Sequence, residues 1–135
     1  MSGVLLDTSG LFAAARVRSD RHDEAAAAYR ELLTGTELLV TTDLIVSELH
    51  ALSIARVHPR FGLDLVDRLL NSGRIETVVA GIERLATATD LLRQRPGRAY
   101  SLTDAVSFVL MRELSISRAF TLDGDFAAEG FAVLP

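Results

Sequence analysis

Short apolar runs alternate with longer amphipathic stretches along this whole chain, and that alternation limits its fold more than any other feature. VLL (4–6) reads as a first strand, and TSGLFAAAR (8–16) as a helix with Thr8 or Ser9 available as its N-cap. Ser19-Asp20 caps a second helix through EAAAAYRELL, which stops near Gly35. LLVT (38–41) is a second strand; a helix starts at Thr42-Asp43, reaches about Arg56 and is broken by His58-Pro59. FGLDLVDRLLN continues as another helix ending at Ser72-Gly73, and IETVV (75–79) is a third strand. A helix over 82–95 closes at Pro96-Gly97, and another, capped by Ser101 or Thr103, runs through Leu114. AFTL (119–122) is a fourth strand, followed by a turn through DFAAEG and a fifth strand, FAVL (131–134). Strands separated by helices of this length imply parallel βαβ units: an α/β fold, a three-layer α/β/α sandwich around a sheet of about five strands.

The chain has 135 residues, so 1–135 is expected to be a single domain with one core. A hydrophobic content of 49% argues against disorder. Cysteine is absent, which removes disulfides, thiolate metal sites and thiol nucleophiles. All 14 basic residues are arginine, which excludes lysine Schiff bases and a P-loop lysine. The N-terminus MSGVLLD has no basic region, and no run reaches the roughly 18 apolar residues of a membrane span, so the cytosol is the expected compartment. A net charge of −4 does not suit a general nucleic-acid binder but leaves room for local arginine patches.

Several carboxylates stand where they are costly. Asp7 ends the run GVLL, Glu48 interrupts LIVSELHAL, Asp104 lies inside SLTDAVSFVL, and Asp123 closes AFTL with Asp125 two residues on. Burying an unpaired carboxylate is strongly unfavourable, and no lysine exists to pair with these. In open parallel sheets, sites form at the carboxyl ends of the strands. Asp7 and Asp123 are expected to be the first residues past strands one and four. Asp104 falls in the first turn of the helix before strand four, and Glu48 shares the inward stripe of Ile45, Leu49 and Leu52. Four acids from four segments can then meet at one sheet edge and await a cation.

Each acid has an ordinary reading as well. Asp104 suits a helix N-terminus, Asp7 a turn or cap, and Asp123-Gly124-Asp125 a turn; Glu48 resists, because its face is apolar. Hydroxyls at Thr8, Ser9, Ser101, Thr103 and Thr121 could support the acids or simply cap helices. His22, His50 and His58 lack metal-ligand spacing, and no Gly-rich phosphate loop occurs. LDGDF superficially suggests a haloacid-dehalogenase-like phosphatase, yet only ten residues follow Asp125; the segment also fails as an EF-hand loop.

Together LLDTS, LIVSEL, SLTDAVSF, and FTLDGDF followed by GFAVLP resemble the PIN domain, in particular the VapC-type toxins of prokaryotic toxin–antitoxin pairs. The resemblance covers essentially the full chain with the motifs in family order. It implies a Mg²⁺- or Mn²⁺-dependent ribonuclease, commonly a homodimer held inactive by a cognate antitoxin. Position by position, Asp7, Glu48, Asp104 and Asp123 match the family's acidic quartet, Asp125 a less regular fifth acid, and Thr8 or Ser9 with Thr121 the supporting hydroxyls; Thr103 is a further expected supporter.

The chemistry is consistent with that implication: Mg²⁺ takes oxygen ligands and keeps several waters, so Asp7 and Asp104 suffice as direct contacts, with Glu48 and Asp123 acting directly or through water. Crowded carboxylates without a cation should raise at least one pKa. Arg16, Arg18, Arg21, Arg93, Arg95 and Arg98 are candidate RNA contacts. The alternatives are a metal-dependent phosphatase acting on small phosphoesters and a non-catalytic module binding RNA or protein. The apolar helices are expected to leave surface for a dimer and an amphipathic, basic antitoxin segment.

Overall fold

The structure, a computed structural model, describes residues 2–135. Its elements in chain order are β1 (Gly3–Leu6), α1 (Thr8–Ala15), α2 (His22–Thr34), β2 (Leu38–Thr42), α3 (Asp43–Arg56), α4 (Pro59–Leu70) and β3 (Ile75–Val78). There follow α5 (Gly81–Arg93), α6 (Leu102–Glu113), β4 (Arg118–Phe120), α7 (Gly124–Ala128) and β5 (Ala132–Leu134). All five strands are parallel in the order β3-β2-β1-β4-β5. Chain order reverses between β1 and β4, which makes the gap between their carboxyl ends the switch point of the sheet.

Right-handed crossovers fix the layers. The connections from β1 to β3 run one way and carry α1–α4 on one face, where α1 packs on α2 and α3, and α3 on α4. The connections to β4 and β5 run the other way and carry α5–α7, with α6 between α5 and α7. Both faces of the sheet are therefore covered, and Val4, Leu5, Leu6, Leu39, Val40, Ala119 and Phe120 are fully buried.

One close approach decides the geometry of the switch point. Gly10 lies so near β4 that a Cβ there would stand 2.7 Å from the Phe120 carbonyl oxygen. Only a glycine lets α1 sit against the end of β4. Beyond the strand ends the pairing continues for one residue, with Asp7 N–H donating to Phe120 O (3.0 Å) and Thr121 N–H to Leu134 O (2.8 Å).

The elements correct the expected boundaries in four places. Neither Thr8 nor Ser9 is the cap of α1: Asp7 takes that position with extended backbone and without a side-chain cap bond. The hydroxyls of Thr8 and Ser9 are committed to other carboxylates instead. Arg21, in the left-handed region at φ 62°, precedes α2 in place of Ser19-Asp20. β4 ends at Phe120, so Asp123 lies three residues beyond it, and the expected turn after it is the short helix α7. Thr42 caps α3 and Ser101 caps α6 through bonds to Ile45 N–H and Asp104 N–H. No helix among the described residues is long and apolar enough to cross a membrane.

Candidate metal and active site

Asp7, Glu48, Asp104, Asp123 and Asp125 all line one open cleft of about 420 Å³, at the carboxyl edge of the sheet, together with Thr8, Ser9 and Ser101. Asp7 is 3% exposed and Asp104 8%, while the other three acids are half-buried. The two loci expected to meet from β1 and from the β4–α7 turn do meet, and so do those from α3 and α6.

Local structure fixes each carboxylate. Ser101 and Asp104 form a capping box: Asp104 N–H donates to Ser101 Oγ (3.0 Å), and Ser101 N–H reaches Asp104 Oδ2 (3.4 Å). The ordinary reading of Asp104 as a helix-terminal acid is therefore correct, and it does not compete with a place in the cleft. The supporting hydroxyl here is that of Ser101; Thr103 contributes its carbonyl, which accepts from Ser107 Oγ (3.1 Å). Asp123 caps α7 by accepting from Asp125 N–H (2.9 Å). Thr8 Oγ1 donates to Glu48 Oε1, tying the first turn of α1 to the inward stripe of α3, where Ile45 and Leu49 are fully buried.

Asp7 sits at the centre of a hydroxyl network. Its Oδ2 accepts from Thr121 Oγ1 (2.8 Å) and Ser9 Oγ (3.2 Å). Thr121 Oγ1 in turn accepts from Asp123 N–H (2.9 Å), and Ser9 Oγ from Leu122 N–H (2.8 Å).

The short helix α7 is anchored at its middle and just past its C-terminal end. Fully buried Phe126 meets Phe108 of α6 edge-on, with ring centroids 4.9 Å apart. Glu129, whose side chain is only 3% exposed, accepts from Arg95 and Arg112 and from Tyr100 Oη. Burial pushes the Glu129 carboxyl up, but Arg95, Arg112 and Tyr100 more than reverse this and hold it below its usual range. These contacts hold Asp123 and Asp125 in register with Asp104.

The electrostatics are those of a crowded acid cluster. Burial, followed by the charges of Asp7 and Asp123, raises the Asp104 pKa to about 7. Burial raises Asp7 to about 6, with Glu48 adding to it, while the bonds from Thr121, Thr8 N–H and Ser9 oppose the rise. Carboxylate oxygens of Asp104, Asp123 and Asp125 lie within 4.8 Å of one another, so Asp125 belongs to the tightest group. An all-oxygen donor set with no thiolate or imidazole fits a hard divalent cation such as Mg²⁺ or Mn²⁺.

The candidate RNA-contacting arginines divide. Arg21 pairs with Glu24 (3.2 Å), Arg93 with Asp90 (2.6 Å) and Arg95 with Glu129 (3.1 Å). Arg98 is exposed. Arg16 and Arg18 line a second groove beside the acids, which they share with Arg56. Arg56 is not conspicuous in the sequence; its place at the end of a helix whose inward stripe carries Glu48 is the available signal.

A parallel sheet with this order and an acidic cluster at its switch point defines a PIN-type domain. The chain belongs to the PIN-domain family, whose profile matches residues 4–131. Over 64 residues it is 42% identical to a Mycobacterium tuberculosis protein named 23S rRNA-specific endonuclease VapC20; that stretch spans 47% of each chain, about half the length of the relative. The crystal structure of M. tuberculosis VapC20, described as a sarcin–ricin loop cleaving toxin, superposes with a TM-score of 0.90. That match has 25% identity and covers 98% of this chain and 100% of that one. Two structures share the fold at lower identity. VapBC2 from Rickettsia felis, bound to a promoter DNA fragment, has a TM-score of 0.69 and 13% identity over 98% of this chain and 97% of that one. FitAcB from Neisseria gonorrhoeae has a TM-score of 0.65 and 20% identity over 100% of this chain and 97% of that one.

Proposed function

We propose that this chain is a divalent-metal-dependent endoribonuclease and the toxin of a toxin–antitoxin pair, a single domain over 1–135 working in the cytosol. The observation that carries the proposal is the meeting of five carboxylates from four segments at the switch point, with Asp7 and Asp104 raised to about 6 and 7. The similarity to VapC20 supports a phosphodiester of RNA as the bond cut, and makes the sarcin–ricin loop of 23S rRNA the first substrate to test.

In this reading Asp7, Glu48, Asp104 and Asp123 are the catalytic acids, and Asp104, Asp123 and Asp125, with Asp7, hold the ion. A bound Mg²⁺ or Mn²⁺ supplies neutralisation of charge on the scissile phosphate and a lowered pKa for the attacking water. Asp104 and Asp7 would have to be ionised to hold the ion, so loading would strengthen as pH rises through 6 to 7. The bonds from Thr121 and Ser9 favour the ionised form of Asp7 against its burial, and Thr8 fixes the Glu48 rotamer. A cognate antitoxin and a second copy of the chain are the proposed partners. The test is cleavage of ribosomal RNA by purified protein in Mg²⁺ or Mn²⁺ against an EDTA control; uncut RNA in all three overturns the proposal.

A further inference from the structure

An RNA strand that reaches five clustered carboxylates is repelled by them until a cation is bound, so the surface beside the cleft must supply the attraction. Among the described residues, six arginines are paired with carboxylates, and Arg74 is spent on the carbonyls of Leu32, Leu33 and Glu37. Arg16, Arg18 and Arg56 have no carboxylate within salt-bridge distance among the described residues, and these three converge on one groove. That groove, about 370 Å³, shares Ser9 and Leu52 with the acidic cleft, so the two adjoin. Its one carboxylate is Asp20, set against three guanidiniums. Arg16 is oriented by the Phe12 ring, with its Cζ 5.6 Å from the ring centroid. Arg56 arrives from the far end of α3, the helix that carries Glu48, so acid and base are offset along one rigid element.

We propose that the groove of Arg16, Arg18 and Arg56 is the phosphate-backbone subsite of this enzyme, holding single-stranded RNA next to the bond that enters the acidic cleft. The inference rests on the ribonuclease reading but names its own residues. Guanidinium forks suit phosphate oxygens, and three of them along a groove track a strand rather than a single anion.

Binding of a fluorescent single-stranded RNA by anisotropy in EDTA tests the groove independently of cleavage. Arg18→Gln and Arg56→Gln should each weaken binding by roughly fivefold. Each should also lower the slope of log K against log salt by about 0.7, the value for one phosphate contact on a single strand. Arg16→Lys, which keeps the charge, should stay closer to the wild type than Arg16→Gln. Arg30→Gln, on the exposed face of α2, is the control and should change neither quantity. Variants that bind like the wild type, or a poly-glutamate peptide that binds as tightly as RNA with the same arginine dependence, would overturn the proposal. Cleavage in Mn²⁺ is read separately: intact RNA there, with arginine-dependent binding in EDTA, sinks the nuclease reading and leaves the groove standing.

Discussion

Thr121 Oγ1 donates to Asp7 Oδ2 across 2.8 Å, so a single hydroxyl after β4 holds the acid after β1. The same oxygen accepts from Asp123 N–H (2.9 Å), so one atom joins the ends of β1 and β4 within the site. Thr121→Val keeps the shape and removes both bonds. Unfolding in urea should show a loss of about 1–3 kcal/mol, because a buried carboxylate loses its best donor. The acidic limb of the pH–rate profile should move to higher pH, since the ionised form of Asp7 is less supported. An unmoved limb would mean that Asp7 does not titrate in the reaction.

The pH dependence of stability follows from the two raised carboxyls. Both have an unfolded value of 3.8 and folded values of about 6 and 7. Between about pH 4 and 7 the folded protein therefore holds more protons than the unfolded chain, and these groups make stability fall as pH rises. Asp104→Asn should flatten that fall and raise the melting temperature in EDTA at pH 8. Mn²⁺ at 100 times its Kd should stabilise the wild type by about 2.7 kcal/mol and the variant less. Melting curves indifferent to both ion and substitution would show that the acids do not act as a cluster.

Glu129→Gln tests the anchoring of α7. The variant leaves Arg95 and Arg112 without their shared carboxylate, and a lower melting temperature and urea midpoint are expected, moderated because both guanidiniums reach solvent. Because α7 carries Asp123 and Asp125 at its start, Mn²⁺ affinity should fall as well. Unchanged affinity with reduced stability would confine Glu129 to the fold.

Much of this was legible in the sequence, for reasons that particular residues make plain. Strand and helix periodicity mark all five strands and the six longer helices, and apolar neighbours make Asp7, Glu48, Asp104 and Asp123 conspicuous. What stayed hidden depended on partners distant in the chain. Arg95 pairs with a residue 34 positions away, so nothing local separated it from Arg16. Thr8 looked like a cap, but its hydroxyl is taken by Glu48, 40 positions on. Ser101 and Thr103 were equivalent as letters until the α6 backbone chose Ser101. The α7 helix is short and held by Phe126 and Glu129, so it reads as a turn without them.

Partner binding gives a further expectation. Val79 and Ile82 are 67% and 80% exposed, and Leu63 and Leu70 of α4 are 57% exposed each, leaving large apolar side chains for a second copy to cover. Light scattering at micromolar concentration should return a dimer mass, and a cognate inhibitor should carry a basic residue that competes with Mn²⁺. A monomer mass contradicts the first half; an inhibitor that leaves Mn²⁺ affinity unchanged contradicts the second.

The most direct measurement is single-turnover cleavage of a sarcin–ricin-loop oligonucleotide at pH 8 in saturating Mn²⁺, comparing wild type with Asp7→Asn and Asp104→Asn. The account predicts a discrete cut by the wild type, abolished by EDTA. Each variant, folded by circular dichroism, should cleave at least about a hundredfold more slowly. Either variant cutting at close to the wild-type rate would contradict the assignment of this carboxylate cluster as the catalytic centre.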